Sequence, residues 1–520
     1  MGMQITYLGH AGFLVETERA MIVMDPWLSA QGAFDSAWFQ LPCNHHMASF
    51  VRERLADSGK ERYVYISHEH RDHFDPEFLR SLPTDGLQFI VPRFQRTALR
   101  AELARLHPGA VRSCVHGEQI SIPGGHLKIY VDDSGINRDS AIMVKADGQS
   151  FLNLNDCKLY DEVLSIAGAE GPISVFACQF SGATWHPTCY AYSSDEYARI
   201  SELKRKSKFE IVARMIEAIR PRAYIPSAGP ACFLDPMLFH LNFEAVNIFP
   251  RSPELRRYLR ERLPDFPVHV AEMMPGDALA AESGCCNLAG TERFDESNFE
   301  AYVRAYASRY AEYFADRPAH SPPEARKILE QLRIELQRKL ANFSLHERIP
   351  VPLYFGLSDG DGHVLKVDFP AQTVDIVSTI PDSHHYSIKA PSWQIARVLD
   401  GSITWEELAL TFRVKLNRKP DVYQTLIQGF LLMEPEDMHW FCEKFAGIER
   451  RQNRIIIEAG GTRYSIDRFC PHQGGDLSQG WLQEGRFWTC PRHRWRFALD
   501  KGGNCIGSNA SIHAICLEGE

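Results

Sequence analysis

Ser67-His68-Glu69-His70-Arg71-Asp72-His73-Phe74-Asp75 is the stretch on which the reading of this chain turns. The run before it, Arg62-Tyr63-Val64-Tyr65-Ile66, is β-branched and aromatic and predicts a buried strand. That strand empties into a turn with three histidines and one aspartate in the six residues 68–73. In extended backbone, side chains at i and i+2 point the same way, so His68 and His70 can chelate one metal ion. Asp72 and His73, just past the bend, can face a second ion. Imidazole and carboxylate suit zinc, iron or manganese, and two-metal clusters of this kind activate a water or bind O2. A merely polar surface turn does not call for this spacing straight after a strand. The stretch is read as a metal site.

The pattern H-x-H-x-D-H resembles the signature of the metallo-β-lactamase fold. The resemblance implies an α/β architecture, an αββα sandwich with metals held by loops at one edge of two sheets. The opening stretch agrees. Residues 4–16, Gln4-Ile5-Thr6-Tyr7-Leu8-Gly9-His10-Ala11-Gly12-Phe13-Leu14-Val15-Glu16, look like a strand, a Gly turn and a second strand, and Met21-Ile22-Val23-Met24-Asp25-Pro26-Trp27 follows like the next. His10 falls at the strand-to-strand turn, where related proteins often carry a histidine, and is read as structural or as a substrate contact. Residues 34–43, rich in aromatics (Phe34, Trp38, Phe39), read as an insertion near the pocket mouth.

With 520 residues the chain is long enough for three or four domains with sizeable cores. Its formal net charge is −9 and it has no long Lys/Arg run, which argues against nucleic acid or an anionic membrane as the main partner. No apolar run reaches the roughly 18 residues of a spanning helix, and no signal peptide opens the chain. The 13 cysteines show no paired framework and predict reduced thiols in a cytoplasmic protein.

Residues 127–131 and 140–144 read as strands around the loop Asp132-Asp133-Ser134-Gly135-Ile136-Asn137-Arg138-Asp139. Hydrolases of the fold carry a third histidine in this loop. Here Asp132, Asp133, Asn137 and Asp139 are the available substitutes, and a carboxylate would make the site harder and more iron-like. Phe151-Leu152-Asn153-Leu154-Asn155-Asp156-Cys157 is the next strand, and its Asp156 stands where the fold bridges two metals. Where hydrolases place the last histidine, after residues 223–226, Ser227 and Ala228 stand instead; His186 and His240 are the nearest replacements in sequence, with His186 preferred. The helix expected over 195–219 has a basic face (Lys204, Arg205, Lys206, Lys208) read as solvated surface. Asn155-Asp156-Cys157, Phe180-Ser181-Gly182 and Pro226-Ser227-Ala228-Gly229 together resemble the metallo-β-lactamase-like half of the CMP-N-acetylneuraminate hydroxylase family, over residues 1–270.

The middle of the chain carries less chemistry. Helices are expected over 294–314 and 324–343, the second with Ile328, Leu332, Leu336 and Leu340 on one stripe. Residues 364–369 and 373–378 read as a hairpin, and 393–423 are similar to the small α+β, sterol-carrier-like module that accompanies some enzymes of this fold. His384-His385 reads as surface. The predicted domains are therefore 1–290, metallo-β-lactamase-like; 291–440, helical linker and α+β module; and 441–520.

The last of these holds a second motif. Cys470-Pro471-His472 is followed, after seventeen intervening residues, by Cys490-Pro491-Arg492-His493. This spacing matches an all-β Rieske domain, with Cys470 and Cys490 holding one iron of a [2Fe–2S] cluster as thiolates and His472 and His493 the other as imidazoles. No cysteine follows either histidine at the place where high-potential Rieske proteins add a disulfide, so the cluster resembles the lower-potential oxygenase type. Arg494 occupies a place where Gly is common.

A one-electron cluster beside a two-metal pocket points to redox chemistry, since hydrolysis needs no electrons. No D-x2-H-x4-H helix for a mononuclear iron is present, so oxygen activation falls to His68, His70, Asp72, His73 and Asp156. The hydroxylase family joins the same two domains, with the Rieske domain leading; here it ends the chain. The expected function is an O2-dependent monooxygenase passing electrons from an external donor (ferredoxin or flavin reductase) through the Rieske cluster to one or two non-haem irons. It would hydroxylate or N-oxygenate a small polar substrate, and a homo-oligomer is compatible with this. Two rivals are a zinc-dependent hydrolase with the cluster as redox sensor, and a non-catalytic electron carrier.

Overall fold

The computed structural model describes residues 2–56, 59–133, 136, 138–266, 268–289, 297–317 and 323–517. The chain divides into two compact units, Met1–Asp133 with Asn137–Ala183 and Asp195–Phe314, and Ser134–Ile136 with Thr184–Ser194 and Ala315–Glu520.

In the first unit, β1 (Gln4–Gly9), β2 (Gly12–Glu16) and β3 (Ala20–Met24) form an antiparallel meander that β4 (Glu61–Tyr65), β5 (Leu87–Pro92) and β6 (Val111–Cys114) extend in parallel. The second sheet runs antiparallel through β7 (Glu118–Ile122), β8 (Gly125–Asp132), β9 (Asp139–Ala146) and β10 (Gln149–Asn153). It continues in parallel through β11 (Val175–Gln179), β12 (Ala223–Ser227) and β13 (His269–Val270). The chain then returns to the first sheet, where β14 (Ala278–Ala280) pairs with β1 and β15 (Cys286–Asn287) closes the edge.

The period of two along each strand divides the apolar residues between two cores. Ile22 and Met24 face the space between the sheets with Phe13, Val144, Phe151 and Ile225. Met21 and Val23 face the other way, against Met47, Val51 and Leu55 of the helix Met47–Ala56. On the second sheet's side lies the long helix Ser194–Ile219. Its Lys208 is buried rather than solvated, because Nζ donates to Gln179 Oε1 at the end of β11 (2.6 Å) and to the Tyr160 hydroxyl (3.1 Å). The result is the αββα sandwich expected of the metallo-β-lactamase fold. The stretch 291–440 is shared between the units: the helix Phe299–Ser308 packs in the first, with Phe299, Val303 and Tyr306 against Phe39 and Cys232.

The second unit opens with the helix Ala325–Ala341, whose Ile328, Leu332, Leu336 and Leu340 are all buried. Its mixed sheet has the order β18-β17-β16-β19-β20, from β16 (Leu353–Leu357), β17 (Val364–Asp368), β18 (Thr373–Val377), β19 (His385–Ala390) and β20 (Lys415–Lys419). His385, expected at the surface, is buried: it pairs with Lys419 across the ladder and its ring lies edge-on to Tyr354 at 5.9 Å. Beyond it, β21 (Arg454–Ala459), β22 (Thr462–Asp467), β23 (Trp481–Gln483), β24 (Phe487–Thr489), β25 (Arg496–Ala498), β26 (Asn504–Cys505) and β27 (Ile515–Cys516) form two small antiparallel sheets. Among the described residues no cysteine is disulfide-bonded, and no helix is long and apolar enough to cross a membrane.

One buried cation gives this unit a pH signature. Lys339 Nζ lies 3.8 Å above the Trp405 ring and donates to the Leu431 carbonyl at 3.2 Å. Burial pushes its pKa down to about 7, against the raising influence of Glu434 and Glu335. Between there and its ordinary 10.5 the unfolded chain binds a proton that the native one does not, so stability rises with pH across that window. Lys339→Met is expected to flatten this slope and to raise stability at pH 7, as read from urea unfolding midpoints at pH 7 and pH 9.

Candidate metal centres

The turn after β4 is held from beneath by Asp25, which follows β3. The fully buried Asp25 carboxylate accepts from Ser67 N (2.8 Å), Ser67 Oγ (2.6 Å) and His73 Nδ1 (2.8 Å). A carboxylate on one ring nitrogen fixes the tautomer and aims the other nitrogen at the site. Asp75 does similar work two residues on. It accepts from Phe78 N to cap the helix Pro76–Arg80, and from Leu28 N and Ser29 N to hold the preceding loop.

Two groups of donors result, in each of which the ligand atoms lie within 4.8 Å of one another: His68, His70 and Asp156; and His10, Asp72 and His73. His68 Nε2 is 2.8 Å from His70 Nδ1. His10 Nε2 is 3.0 Å from Asp72 Oδ2, and His73 Nε2 is 3.8 Å from Asp72 and 3.7 Å from Asp156 Oδ1. The second group is wholly buried, whereas His70 and Asp156 are partly exposed and form the open side.

These residues fit metal ions. His10 Nδ1, His73 Nε2, Asp72 Oδ1 and Asp156 Oδ1 are buried with no hydrogen-bond partner, an arrangement that costs free energy unless a cation completes it. Their titration agrees. Burial would raise Asp72, yet the charge of His73 and the hydrogen bond from His10 hold it at about 2. Burial would lower His73, but Asp156, Asp72 and Asp25 hold it well above the ordinary histidine value; His68 is lowered, chiefly by burial. The buried Asp139 and the partly exposed Asp156 meet as a carboxylate pair. Asp139 is raised by burial and by the charge of Asp156, while His73 and His68 keep Asp156 ionised.

Of the candidates in the β8–β9 loop, Asp139 lies beside the site, with Oδ1 3.2 Å from His68 Nδ1, and the buried Asp132 pairs with it across the ladder. Asp133 instead accepts from Gln95 N, and Asn137 lies outside the described residues. His10, expected to be structural or substrate-facing, instead lies with Asp72 and His73 as a candidate ligand. Its carbonyl accepts from Ala228 N (2.9 Å) and from the Tyr7 hydroxyl (3.1 Å). It therefore sits against the very turn where hydrolases of this fold place their last histidine. The sequence signal was there in part, since Gly9-His10 and Ser227-Ala228 both follow strands.

His186 is not brought into either group. It belongs to the second unit, where its Nε2 lies 3.0 Å from the Tyr192 hydroxyl and 3.4 Å from Arg418 Nη2. His240 is exposed beside Glu244. At the rim, Phe34 of the aromatic insertion meets the His70 ring edge-on at 5.9 Å, and Arg138 Nε donates to Glu69 at 3.0 Å.

In the second unit, the loop after β22 carries Cys470 and His472, and the loop between β24 and β25 carries Cys490 and His493. Each loop closes on itself: Gly474 N donates to Cys470 O (2.8 Å) and Arg494 N to Cys490 O (3.0 Å). Arg494 adopts φ +61°, the left-handed conformation for which glycine is usual. The two thiols are buried in contact with each other, and burial followed by the Cys490 contact pushes Cys470 well above its usual value, which iron would reverse. A Cβ at Gly475 would come within 3.0 Å of Cys490 Sγ, so only glycine leaves that space open. The His472 and His493 rings lie 4.6 Å apart. Two facing thiols and two adjacent imidazoles are the donor set of a Rieske cluster.

Asp25→Ala is expected to weaken metal binding in the first unit about 10–100-fold, measured by competition against a chelator, with the visible absorption of the cluster unchanged. His186→Ala is expected to leave the metal content of the first unit at the wild-type level by elemental analysis.

Comparison with known proteins bears on both units. Residues 4–133 match a model described as "Beta-lactamase superfamily domain", and residues 430–514 one described as "Rieske [2Fe-2S] domain". A protein of Mycolicibacterium smegmatis named for a Rieske 2Fe-2S iron-sulfur centre is 28% identical over 96% of this chain and 97% of its own. The cytidine monophosphate-N-acetylneuraminic acid hydroxylase of Pan troglodytes is 28% identical over 44% of this chain and 38% of its own. Among solved structures, CmlA, a diiron beta-hydroxylase from Streptomyces venezuelae, aligns over 54% of each chain with 16% identity and a TM-score of 0.34. This chain thus joins a β-lactamase-superfamily domain to a Rieske [2Fe–2S] domain.

Proposed function

We propose that the chain is an O2-dependent monooxygenase in which the Rieske cluster feeds electrons to non-haem iron in the first unit. The substrate is a small polar molecule, hydroxylated at carbon or oxygenated at an amine, and the electrons come from a ferredoxin or flavin reductase. One observation carries this reading. The pocket gathers three buried or nearly buried carboxylates, Asp72, Asp139 and Asp156, where a zinc hydrolase of this fold relies on further histidines, and it shares its chain with a one-electron carrier. Oxygen-rich sites favour iron over zinc. The likeness to a hydroxylase over 44% of the chain supports the same class of reaction.

His68, His70, Asp139 and Asp156 would hold one metal position and His10, Asp72 and His73 the other, with Asp156 between them. Iron so held activates O2 when supplied with single electrons. The chain's own groups set the conditions. Asp25 and Ser67 lock the His73 ring, so that Nε2 faces the pocket without reorganisation. Trp27, edge-on to His10 at 5.2 Å, keeps water from the buried side, and Phe34 against His70 lines the open one. The partly exposed His70 and Asp156 leave one side open to substrate, and the Glu69–Arg138 pair gives that mouth polar groups.

Metal and sulfide analysis of anaerobically purified protein tests this, with electron paramagnetic resonance after dithionite. Iron clearly in excess of the cluster's own, a Rieske signal and electron-dependent O2 uptake lost in Asp156→Asn are expected. Iron confined to the cluster, with zinc retained in the pocket after iron reconstitution, would overturn the oxygenase and put hydrolysis in its place.

A further inference from the structure

We propose that Tyr423, supplied by the middle module, is a positioning residue for the Rieske cluster: with Trp495 it clamps His472 and ties that ligand to the network around the buried Arg418. This rests on reading residues 430–514 as a cluster-bearing Rieske domain.

Tyr423 lies between β20 and the helix Thr425–Leu432, outside both cluster loops. Its backbone is pinned to the Rieske domain, where Tyr423 N donates to Gly507 O at 2.7 Å and the residue bridges Ser508. Behind it, the Tyr386 hydroxyl donates to the Val422 carbonyl. Two rings then enclose the ligand. Trp495 stacks on His472 with centroids 4.3 Å apart and planes 10° from parallel. Tyr423 stands edge-on to both, at 5.5 Å and 83° to His472 and at 5.4 Å and 87° to Trp495. Its hydroxyl is 3.3 Å from His472 Nε2. Two rings and a polar contact leave the imidazole no free rotation about χ2. His493, by contrast, is partly exposed while His472 is buried.

The contact also has an electronic consequence. With Nε2 facing Tyr423, and Gln473 Nε2 at 3.5 Å, Nδ1 is the nitrogen left for iron; an imidazole bound through Nδ1 would carry its proton on Nε2 and donate it to the phenol oxygen. Such donation raises the basicity of Nδ1 and favours the oxidised cluster. The network beyond works in the opposite sense. The Arg418 side chain is only 7% exposed, and its guanidinium carbon lies 6.0 Å from the Tyr423 ring centroid and 5.0 Å from that of Tyr190. Arg418 Nε donates to Asp421, and Nη2 lies 3.4 Å from His186 Nε2. The Tyr192 hydroxyl approaches both His186 Nε2 and Asp421 Oδ2 at 3.0 Å. A cation held in a low-dielectric interior near a cluster favours the reduced, more negative state. His186 thus belongs to the surroundings of the cluster's own ligand.

The test is made on the full chain and on the cluster alone, so metal in the first unit does not enter it. Tyr423→Phe keeps the ring and removes the hydroxyl. The variant is expected to retain wild-type visible absorption, to shift the g-values of the reduced cluster, and to raise its midpoint potential in dye-mediated titration. Arg418→Met is expected to lower the potential, and Trp495→Leu to broaden the reduced signal into more than one set of g-values. A fully loaded Tyr423→Phe with wild-type g-values and potential would overturn the proposal and leave the Rieske assignment standing. A wild-type chain with no Rieske signal after dithionite would overturn both. Because Tyr423→Phe and Arg418→Met are expected to move the potential in opposite directions, general loosening of the domain would not reproduce the pattern.

Discussion

Carboxylates and imidazoles buried together at one edge of the two sheets are the constraint around which the first unit is built. Asp25, Asp72, Asp139, His68 and His73 have almost no contact with water. Charge in such a place is tolerated only when paired or bound to metal. Part of the pairing is internal: Asp25 satisfies Ser67 and His73, and His10 satisfies one oxygen of Asp72. Of the atoms left over, His73 Nε2 and Asp156 Oδ1 face each other at 3.7 Å, and Asp72 Oδ1 is buried without a partner. The stability of this edge and its capacity for metal thus come from one arrangement.

Strand direction explains why the donors meet. His10 follows β1, Asp25 follows β3, His68 follows β4 and Asp156 follows β10, while Asp139 opens the antiparallel β9. Each side chain is therefore delivered by a rigid strand end, and the connecting turns need only short excursions. The bond from Ala228 N to His10 O and that from Ser140 Oγ to Ser67 O stitch the two sheets together at this edge. A histidine missing from one strand end can in consequence be replaced from another without changing the fold.

The middle module contributes a side chain to the surroundings of His472. Tyr423 is one residue on a connection between a strand and a helix, yet it reaches a ligand 49 positions away. Lys339 gives the same module a buried cation on an aromatic face. Both are polar groups in an apolar interior, satisfied by rings and by a single oxygen or nitrogen partner.

Features contained in one turn were legible from sequence. His68, His70, Asp72 and His73 share six residues, and Cys470 with His472, and Cys490 with His493, share two loops; their mutual placement follows from local backbone geometry. The alternation in β1 to β4 was legible for the same reason. Lys208 and His385 were placed at the surface because a helical face or a polar pair says nothing of what packs over it. His10, Asp25 and Asp139 could not be assigned their places, since each reaches the pocket from a different strand end, and strand pairing decides which ends are neighbours. His186 was preferred for its position in the chain, but the fold carries its segment to Arg418 and Tyr192. Sequence by itself determined the two donor patterns, a histidine–aspartate turn and a Cys/His motif of the Rieske type, because those side chains are fixed by spacings of a few residues. Tertiary structure alone decided which distant carboxylates, imidazoles and rings complete them, because those contacts depend on the registry and packing of whole sheets.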